Sequence, residues 1–217
     1  STGDLYAIKS VDISKMKERK LSSTLKKEEK ILKEIKSDYL VNSYFIFKDK
    51  SYFYFAMEYL PCGDVHSLIS SIIIPEKIIQ LIIAETILGI HYLHNMNIIH
   101  HDIKPANILI TNNGHFKLSD FGLSKTLQED NVNKYVKNFL DFVTNKNDSS
   151  DSDDDEKSNK NEAVGTLDYM APELFTDDFP IGGEIDYWAI GVTIFELYTN
   201  TVPFQGKTKD EPRNNIN

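Results

Sequence analysis

The chain has 217 residues, of which 41% are hydrophobic and 26% charged, and its formal net charge is −9. This length and composition suit one globular domain or two lobes around a shared core. The acidic balance argues against nucleic-acid binding as the main task, because phosphate contacts need clustered Lys and Arg. Cys62 is the single cysteine, which excludes an intrachain disulfide and favours a reducing compartment, the cytoplasm or the nucleus.

Strand patterns come first along the chain. Residues 5–11 alternate apolar and polar side chains as a half-buried strand does, and residues 41–47 and 51–57 are expected to form two more strands joined by a turn. Residues 15–35 have the charge and apolar spacing of an amphipathic helix. After Pro61-Cys62-Gly63 the chain becomes helical, with a short helix after Asp64 and a longer one over Glu76–His94. This order predicts an α+β fold with two lobes, a small β-rich N-lobe over residues 1–60 and a larger helical C-lobe over residues 61–217.

Two further segments bear on partners. The apolar stretch 68–90 is interrupted by Pro75 and by several charged residues, so it predicts a buried helix and no membrane partner. Residues 145–162 are strongly acidic and almost without apolar side chains, so we expect an insert that stays disordered. Ser150 and Ser152 each have an aspartate three residues on, which makes the insert a candidate target for a regulatory kinase.

The most informative feature lies in two motifs that carry acidic and amide side chains at fixed spacing. The first runs Ile99-His100-His101-Asp102-Ile103-Lys104-Pro105-Ala106-Asn107-Ile108-Leu109, and the second is Asp120-Phe121-Gly122. Together they resemble the catalytic-loop and metal-binding motifs of the protein kinases. The resemblance implies a two-lobed kinase fold, with ATP as phosphate donor and Mg²⁺ as the metal.

The same resemblance assigns roles to these side chains. Asp102 is expected to orient the attacking hydroxyl or to accept its proton, and Lys104 to neutralise charge on the transferring phosphate. Asn107 and Asp120 are expected to hold magnesium, which prefers oxygen ligands. A lysine at position 104 is similar to the pattern of the Ser/Thr kinases.

The first strand carries the phosphate-binding lysine of the resemblance. In Ala7-Ile8-Lys9, Lys9 is expected to hold the α- and β-phosphates and to pair with an acidic residue on the following helix. Glu28, in Glu28-Glu29-Lys30-Ile31-Leu32, matches the family pattern for that partner, and Glu29 is the second candidate.

Met57-Glu58-Tyr59-Leu60 resembles the hinge between the two kinase lobes. The backbone of Glu58 and Leu60 is expected to bind adenine, and Asp64 to reach the ribose. Ala7 and Leu109 are expected to cover the two faces of the adenine ring.

Later motifs extend the resemblance to the peptide-binding side. Residues 165–173, Gly-Thr-Leu-Asp-Tyr-Met-Ala-Pro-Glu, resemble the end of an activation segment, with Thr166 as a catalytic residue. Asp186-Tyr187-Trp188-Ala189-Ile190-Gly191 resembles the buried helix that supports the catalytic loop. Within the kinases the motifs are similar to the AGC group, specifically its Greatwall and MAST branch, in which an insertion also separates the two ends of the activation segment.

The sequence departs from the family pattern in three ways. No glycine-rich loop precedes Lys9, and the family's further C-lobe helices do not follow Pro203-Phe204, so both lobes are expected to be incomplete and the chain to be truncated at both ends. His101 replaces the arginine that usually grips a phosphate on the activation segment, which a histidine can do only when protonated.

The main hypothesis is therefore a Ser/Thr protein kinase that acts on protein hydroxyls. The alternative is a catalytically weak fragment or a pseudokinase-like scaffold that presents the acidic insert to partners. Retention of Lys9, Asp102, Asn107 and Asp120 favours the enzyme, and the missing glycine-rich loop favours the scaffold. A small-molecule kinase is disfavoured by residues 165–173, which resemble a peptide-gripping segment.

Overall fold

A three-stranded antiparallel sheet opens the fold. The structure, a computed structural model, describes residues 3–14, 29–122, 124–126, 167–175 and 182–204. Strand β1 (Tyr6–Asp12) pairs with β3 (Tyr52–Glu58), which also pairs with β2 (Ser43–Lys48), so the spatial order is β1–β3–β2. Tyrosine, phenylalanine and isoleucine dominate these segments, as expected for residues that favour the pleated backbone.

The register of the sheet decides which side chains share a face. Lys9 lies opposite Phe55 and Ala7 opposite Met57 in the β1–β3 pair. Directly opposed residues point to the same side of a sheet. Lys9 and Ala7 therefore lie on the face that also carries the fully buried Phe55.

Within the described residues, three α-helices follow the sheet. Helix α1 (Val65–Ser71) begins where the Asp64 carboxylate accepts a hydrogen bond from the Ser67 backbone N–H, a standard N-cap. Helix α2 (Glu76–Asn95) begins after Pro75, and its buried residues recur every three or four positions, so one face packs into the core. Helix α3 (Glu184–Thr199) buries one face and ends at Asn200, which is in the left-handed conformation.

The described residues between α2 and α3 form short strands and 3₁₀ turns. Strands β4 (Ile98–Ile99) and β7 (Lys125–Thr126) form one two-stranded ladder. Strands β5 (Ile108–Ile110) and β6 (Phe116–Leu118) form another, closed by a turn in which Gly114 has a φ of 82°. Two 3₁₀ turns cover Pro105–Asn107 and Pro172–Phe175.

One hydrophobic cluster connects the sheet to the helices. It contains Phe55 of β3, residues from the helical stretch 29–34 and its end at Ile35, and buried side chains of α1, α2, β6 and α3. A second cluster joins Ile99 to α3 and to the segment before it, through Leu167, Met170, Ala171, Leu174 and Ile185. The catalytic-loop motif contributes to both clusters, with Ile103 and Ile108 in the first and Ile99 in the second.

The α+β order predicted from the sequence is confirmed, and the strands and helices differ from their expected bounds by only one or two residues. The predicted helix over 15–35 is described only from residue 29 onward, and the acidic insert 145–162 lies outside the described residues. Among the helices of the described residues, none is both long and apolar enough to cross a membrane. The lobe boundary near residue 60 stays a prediction.

Candidate active site

Lys9 and Asp120 form the ion pair at the centre of the site. The Lys9 ammonium Nζ lies 2.9 Å from Oδ1 of Asp120, and the two side chains are 33% and 48% exposed. Burial by itself raises the pKa of Asp120, but the charge and hydrogen bond of Lys9 outweigh it, so the pKa lies below its ordinary value. The Asp120 carboxylate is therefore ionised at neutral pH, as a metal ligand must be.

The catalytic loop holds Asp102 and Asn107 in direct contact. The Asn107 amide Nδ2 donates to the Asp102 carbonyl oxygen at 2.7 Å and to its carboxylate Oδ2 at 2.8 Å. The Lys104 ammonium lies 3.1 Å from the same Oδ2. Asp102 and Asn107 are buried, and the Lys104 side chain is 14% exposed. The three residues form one cluster, with a carboxylate held in place by two donors.

Ser119 ties this loop to the strand that leads into Asp120. Its backbone N–H donates to the Asn107 carbonyl at 2.8 Å, and its hydroxyl donates to the same oxygen at 2.9 Å. The His100 ring Nε2 lies 3.0 Å from the Ser119 carbonyl oxygen. Because Ser119 directly precedes Asp120, these bonds fix the start of the second motif against the first.

Asp186 of α3 accepts hydrogen bonds from the backbone of the catalytic loop. Its carboxylate accepts the backbone N–H groups of His100 at 2.9 Å and His101 at 3.0 Å, and the His94 ring Nε2 lies 2.8 Å from Oδ2. Asp186 is only 1% exposed. The helix therefore positions the backbone just ahead of Asp102, as the sequence motif around Asp186 predicted.

Two residues of the site have positive φ angles although they are not glycine. His101 has a φ of 70° and Asp120 a φ of 61°. Such conformations cost about 1–3 kcal/mol each and persist only where the surroundings impose them. The bond from the His101 N–H to Asp186 is one such restraint, and the Gly122 N–H, 3.3 Å from Asp120 Oδ1, is another.

The residues predicted to surround adenine lie at the end of β3 and beside it. Asp64 forms a β-bridge with Leu109, and the Ile110 N–H donates to the Gly63 carbonyl at 2.9 Å. The Asp64 carboxylate accepts from the Ser67 N–H at 2.8 Å and from its hydroxyl at 3.0 Å. Asp64 is thus the N-cap of α1 in this structure, and its contact with ribose stays a prediction.

The segment before α3 is connected to that helix by a buried hydrogen bond between the Tyr169 hydroxyl and the Glu196 carboxylate. Burial and the neighbouring Glu196 both raise the pKa of Tyr169, so the phenol stays protonated and can donate. Glu196 is 6% exposed, and the His66 ring Nδ1 lies 3.7 Å from its Oε1.

Tyr169→Phe is expected to lower the free energy of unfolding by about 1–2 kcal/mol, because it leaves the buried Glu196 carboxylate without this donor. Chemical denaturation of both proteins measures the difference. Tyr198→Phe is the matched control, since Tyr198 lies on the same helix as Glu196 and its side chain is 52% exposed. Equal stability of the two variants would contradict a supporting role for the bond.

The comparisons with known proteins agree with this geometry. A family model described as the protein kinase domain matches residues 1–217, which is the whole chain. The chain belongs to the protein kinase family. Its α+β fold and its catalytic-loop motifs are therefore those of a kinase domain, as the sequence predicted.

Relatives of this kinase domain carry the names of serine/threonine kinases. It is 34% identical to "Probable serine/threonine protein kinase IRE4" of Arabidopsis thaliana, over 100% of this chain and 21% of the relative. It is 36% identical to "Serine/threonine-protein kinase CBK1" of Pneumocystis carinii and 35% identical to sax-1 of Caenorhabditis elegans. Each of these two matches covers 97% of this chain and 46% of the relative, so the chain spans less than half of these relatives.

The structure brings together most of the predicted kinase residues that it describes. Lys9 meets Asp120, while Asp102, Lys104 and Asn107 form one cluster. Glu28 and Thr166 lie outside the described residues, so their catalytic roles stay predictions. Glu29, the second candidate for the helix partner of Lys9, pairs instead with Lys33 at 2.7 Å.

Sequence reasoning missed two contacts around β6. Lys117 contacts Glu58, a residue of the predicted hinge, with its Nζ 2.9 Å from each carboxylate oxygen. Glu85 of α2 accepts the Phe116 N–H at 2.7 Å and contacts the His115 ring Nδ1 at 2.5 Å. The only sequence signal for Glu85 was a carboxylate on the buried face of an apolar helix, and Lys117 gave none.

Proposed function

We propose that the protein transfers the γ-phosphoryl group of ATP to serine and threonine hydroxyls of other proteins. The observation that carries this proposal is the buried Asp102 carboxylate, held by Asn107 and Lys104 close to the segment that leads to Asp120. In the reaction the substrate hydroxyl oxygen bonds to the γ-phosphorus, and the bond from that phosphorus to the β,γ-bridging oxygen breaks. The hydroxyl proton passes to Asp102, and ADP leaves.

The oxygen donors of Asn107 and Asp120 suit magnesium, a hard cation that takes carboxylate and amide oxygens. The Asn107 Nδ2 is directed at Asp102, which leaves the amide oxygen as its available ligand atom. Asp120 is an ionised carboxylate that Lys9 already orients. When bound, the metal would neutralise charge on the β- and γ-phosphates of ATP.

Two lysines would supply positive charge to the site. Lys9 would hold the α- and β-phosphates, and its contact with Asp120 sets it beside the metal ligand. Lys104 shares an oxygen of Asp102 and would stabilise charge on the transferring phosphoryl group. Glu28, which the sequence predicts to lie on a helix after β1, would orient Lys9.

The nucleoside would lie against the end of β3. The backbone of Glu58 and Leu60 would hydrogen-bond adenine, Ala7 and Leu109 would contact the two faces of the ring, and Asp64 would bind the ribose. The β-bridge between Asp64 and Leu109 supports this arrangement, because it places the predicted ribose contact next to the predicted ring contact. The hinge then divides an N-lobe over residues 1–60 from a C-lobe over 61–217.

We further propose how the protein holds its substrate, how it is regulated and where it works. The segment 165–173, with Thr166, would hold the protein substrate beside Asp102. A regulatory kinase would act on the acidic insert at Ser150 or Ser152, adding charge to a segment that is already acidic. The protein would work in the cytoplasm or the nucleus, without nucleic-acid or membrane partners.

The test is a transfer assay with γ-labelled ATP, magnesium and a generic protein substrate such as casein. It uses the full chain as its gene encodes it. Magnesium-dependent labelling of the substrate is the expected result. Nucleotide binding without any transfer by the wild-type protein would instead support the scaffold alternative.

Asp120→Asn is expected to weaken magnesium-dependent ATP binding at least about tenfold, because the amide removes the charge that holds the cation. Calorimetric titration with ATP, with and without magnesium, measures the change. Asp38→Asn is the control, since Asp38 is an exposed aspartate outside the site. Equal magnesium dependence of Asp120→Asn and wild type would rule out Asp120 as the metal ligand.

A further inference from the structure

A salt bridge crosses from the predicted hinge to β6. The Lys117 ammonium Nζ lies 2.9 Å from Oε1 and 2.9 Å from Oε2 of Glu58, so both carboxylate oxygens share one donor group. The side chains are only 12% and 21% exposed. A pair that is largely withdrawn from water is screened less by salt than a surface pair and holds its geometry more strictly.

The Glu58 end of this bridge is fixed to the chain ahead of β2. The Glu58 backbone N–H donates to the Asn42 carbonyl at 2.9 Å. The Asn42 side chain is held in turn, because its Nδ2 donates to the Ser37 carbonyl at 3.2 Å. The backbone at the start of the hinge is therefore restrained from one side by Asn42, and the Glu58 side chain is restrained from the other side by Lys117.

The Lys117 end is fixed even more closely. Lys117 lies opposite Leu109 in the β5–β6 ladder. The next residue, Leu118, donates its N–H to the Tyr39 carbonyl at 2.9 Å and accepts the Val41 N–H at 2.9 Å. Strand β6 is thus bonded along both edges, and Asp120 follows two residues after its end.

We propose that Lys117 is a positioning residue for nucleotide binding. Through Glu58 it sets the hinge backbone against Leu109, and it links that hinge to the strand that carries the chain into Asp120. Adenine has to meet the hinge and the Leu109 side chain at the same time, so the separation of those two elements decides how well the ring fits. The salt bridge is the side-chain contact that spans them directly.

This inference rests on the proposed function, since it concerns the ATP site. Lys117→Met keeps the length and apolar stem of the side chain and removes the charge. We expect the dissociation constant for Mg-ADP to rise about tenfold, with the turnover number changed less, because the coupling acts on nucleotide contacts and not on Asp102. Calorimetric titration and steady-state kinetics on the full chain measure the two quantities.

Three further variants separate positioning from simple loss of stability. Lys117→Arg keeps the charge and can donate to both oxygens, so it should restore ADP affinity to within about threefold of wild type. The double variant Glu58→Gln with Lys117→Met should lose less affinity than the two single changes added together, because no unpaired carboxylate remains. Lys50→Met, in the exposed turn between β2 and β3, is the matched control and should bind ADP as wild type does.

Several results would overturn the proposal. Unchanged ADP affinity in Lys117→Met is one, and turnover that rises while affinity stays constant is another. A third is strict additivity of the two single changes. If Lys117→Met does not fold, Glu58→Gln tests the same bridge from its other end. A wild-type protein that binds no nucleotide would contradict the proposed function itself, whereas normal wild-type binding with a silent Lys117→Met contradicts only this inference.

Discussion

Asp102→Asn is expected to slow phosphoryl transfer by about 10²- to 10⁴-fold, the usual contribution of a positioned proton acceptor. ATP affinity should stay close to that of wild type, because the side chain contacts Asn107 and Lys104 and is not a predicted ligand of the nucleotide or the metal. The amide cannot take the hydroxyl proton, although it fills nearly the same space. Single-turnover transfer from γ-labelled ATP measures the rate without interference from product release.

The controls for Asp102 separate chemistry from folding. Asp38→Asn removes a carboxylate at an exposed position and should leave the transfer rate unchanged. Thermal unfolding of Asp102→Asn should lie close to that of wild type, since the Asn107 amide can still donate to the Asp102 backbone carbonyl. Transfer by Asp102→Asn at the wild-type rate would show that another group accepts the proton.

Asp186→Leu is expected to lower the free energy of unfolding by about 3–5 kcal/mol, as the removal of one partner from a buried charged network does. The change leaves the buried His100 N–H, the His101 N–H and the His94 ring without their acceptor. A loss of this size corresponds to a fall of roughly 10 °C in Tm for a chain of this length. Differential scanning calorimetry measures it.

Glu184→Gln is the matched control for this change, because Glu184 begins the same helix and is exposed. Its effect should stay within about 0.5 kcal/mol, as for most surface substitutions. Loss of the catalytic-loop geometry in Asp186→Leu should also reduce transfer well below what the residual folded fraction explains. A Tm shift no larger than that of Glu184→Gln would contradict the supporting role of Asp186.

The loss of folding stability at low pH provides a second measure of the role of Asp186. Burial by itself raises the pKa of this carboxyl, but the bond from His94, the charge of His100 and the two backbone N–H groups outweigh it, so the folded-state pKa lies below its ordinary value. The stabilisation is then fully present above the unfolded-state pKa, about 4, and is lost as pH falls toward the folded-state value. Asp186→Asn should show a shallower acid loss than wild type.

The sequence alone was enough to predict the order of the elements. Alternation of apolar and polar residues marked the first strand, and the spacing of apolar residues marked α2, because those periods reflect burial of one face. The catalytic-loop motif is local, so Asp102, Lys104 and Asn107 had to lie close together in any compact fold of residues 99–109. The structure shows that their side chains contact one another.

The long-range contacts could not be predicted from spacing. Glu58 and Lys117 are far apart along the chain. Glu58 was expected to contact adenine through its backbone, and Lys117 was assigned no role. Their pairing depends on how β3 and β6 approach each other across the core, which is a property of tertiary packing. The bond between Glu85 and the Phe116 N–H has the same origin, because it appears only when α2 packs on β6.

The most direct test of the central claim is to identify the product of the reaction. The full-length protein is incubated with γ-labelled ATP, magnesium and a protein substrate, and the labelled amino acids are separated after acid hydrolysis. We predict phosphoserine or phosphothreonine, formed only with magnesium and reduced to a trace by Asp102→Asn. A wild-type protein that binds Mg-ATP yet yields no phosphoamino acid, or yields the same amount with Asp102→Asn, would contradict the assignment of this site.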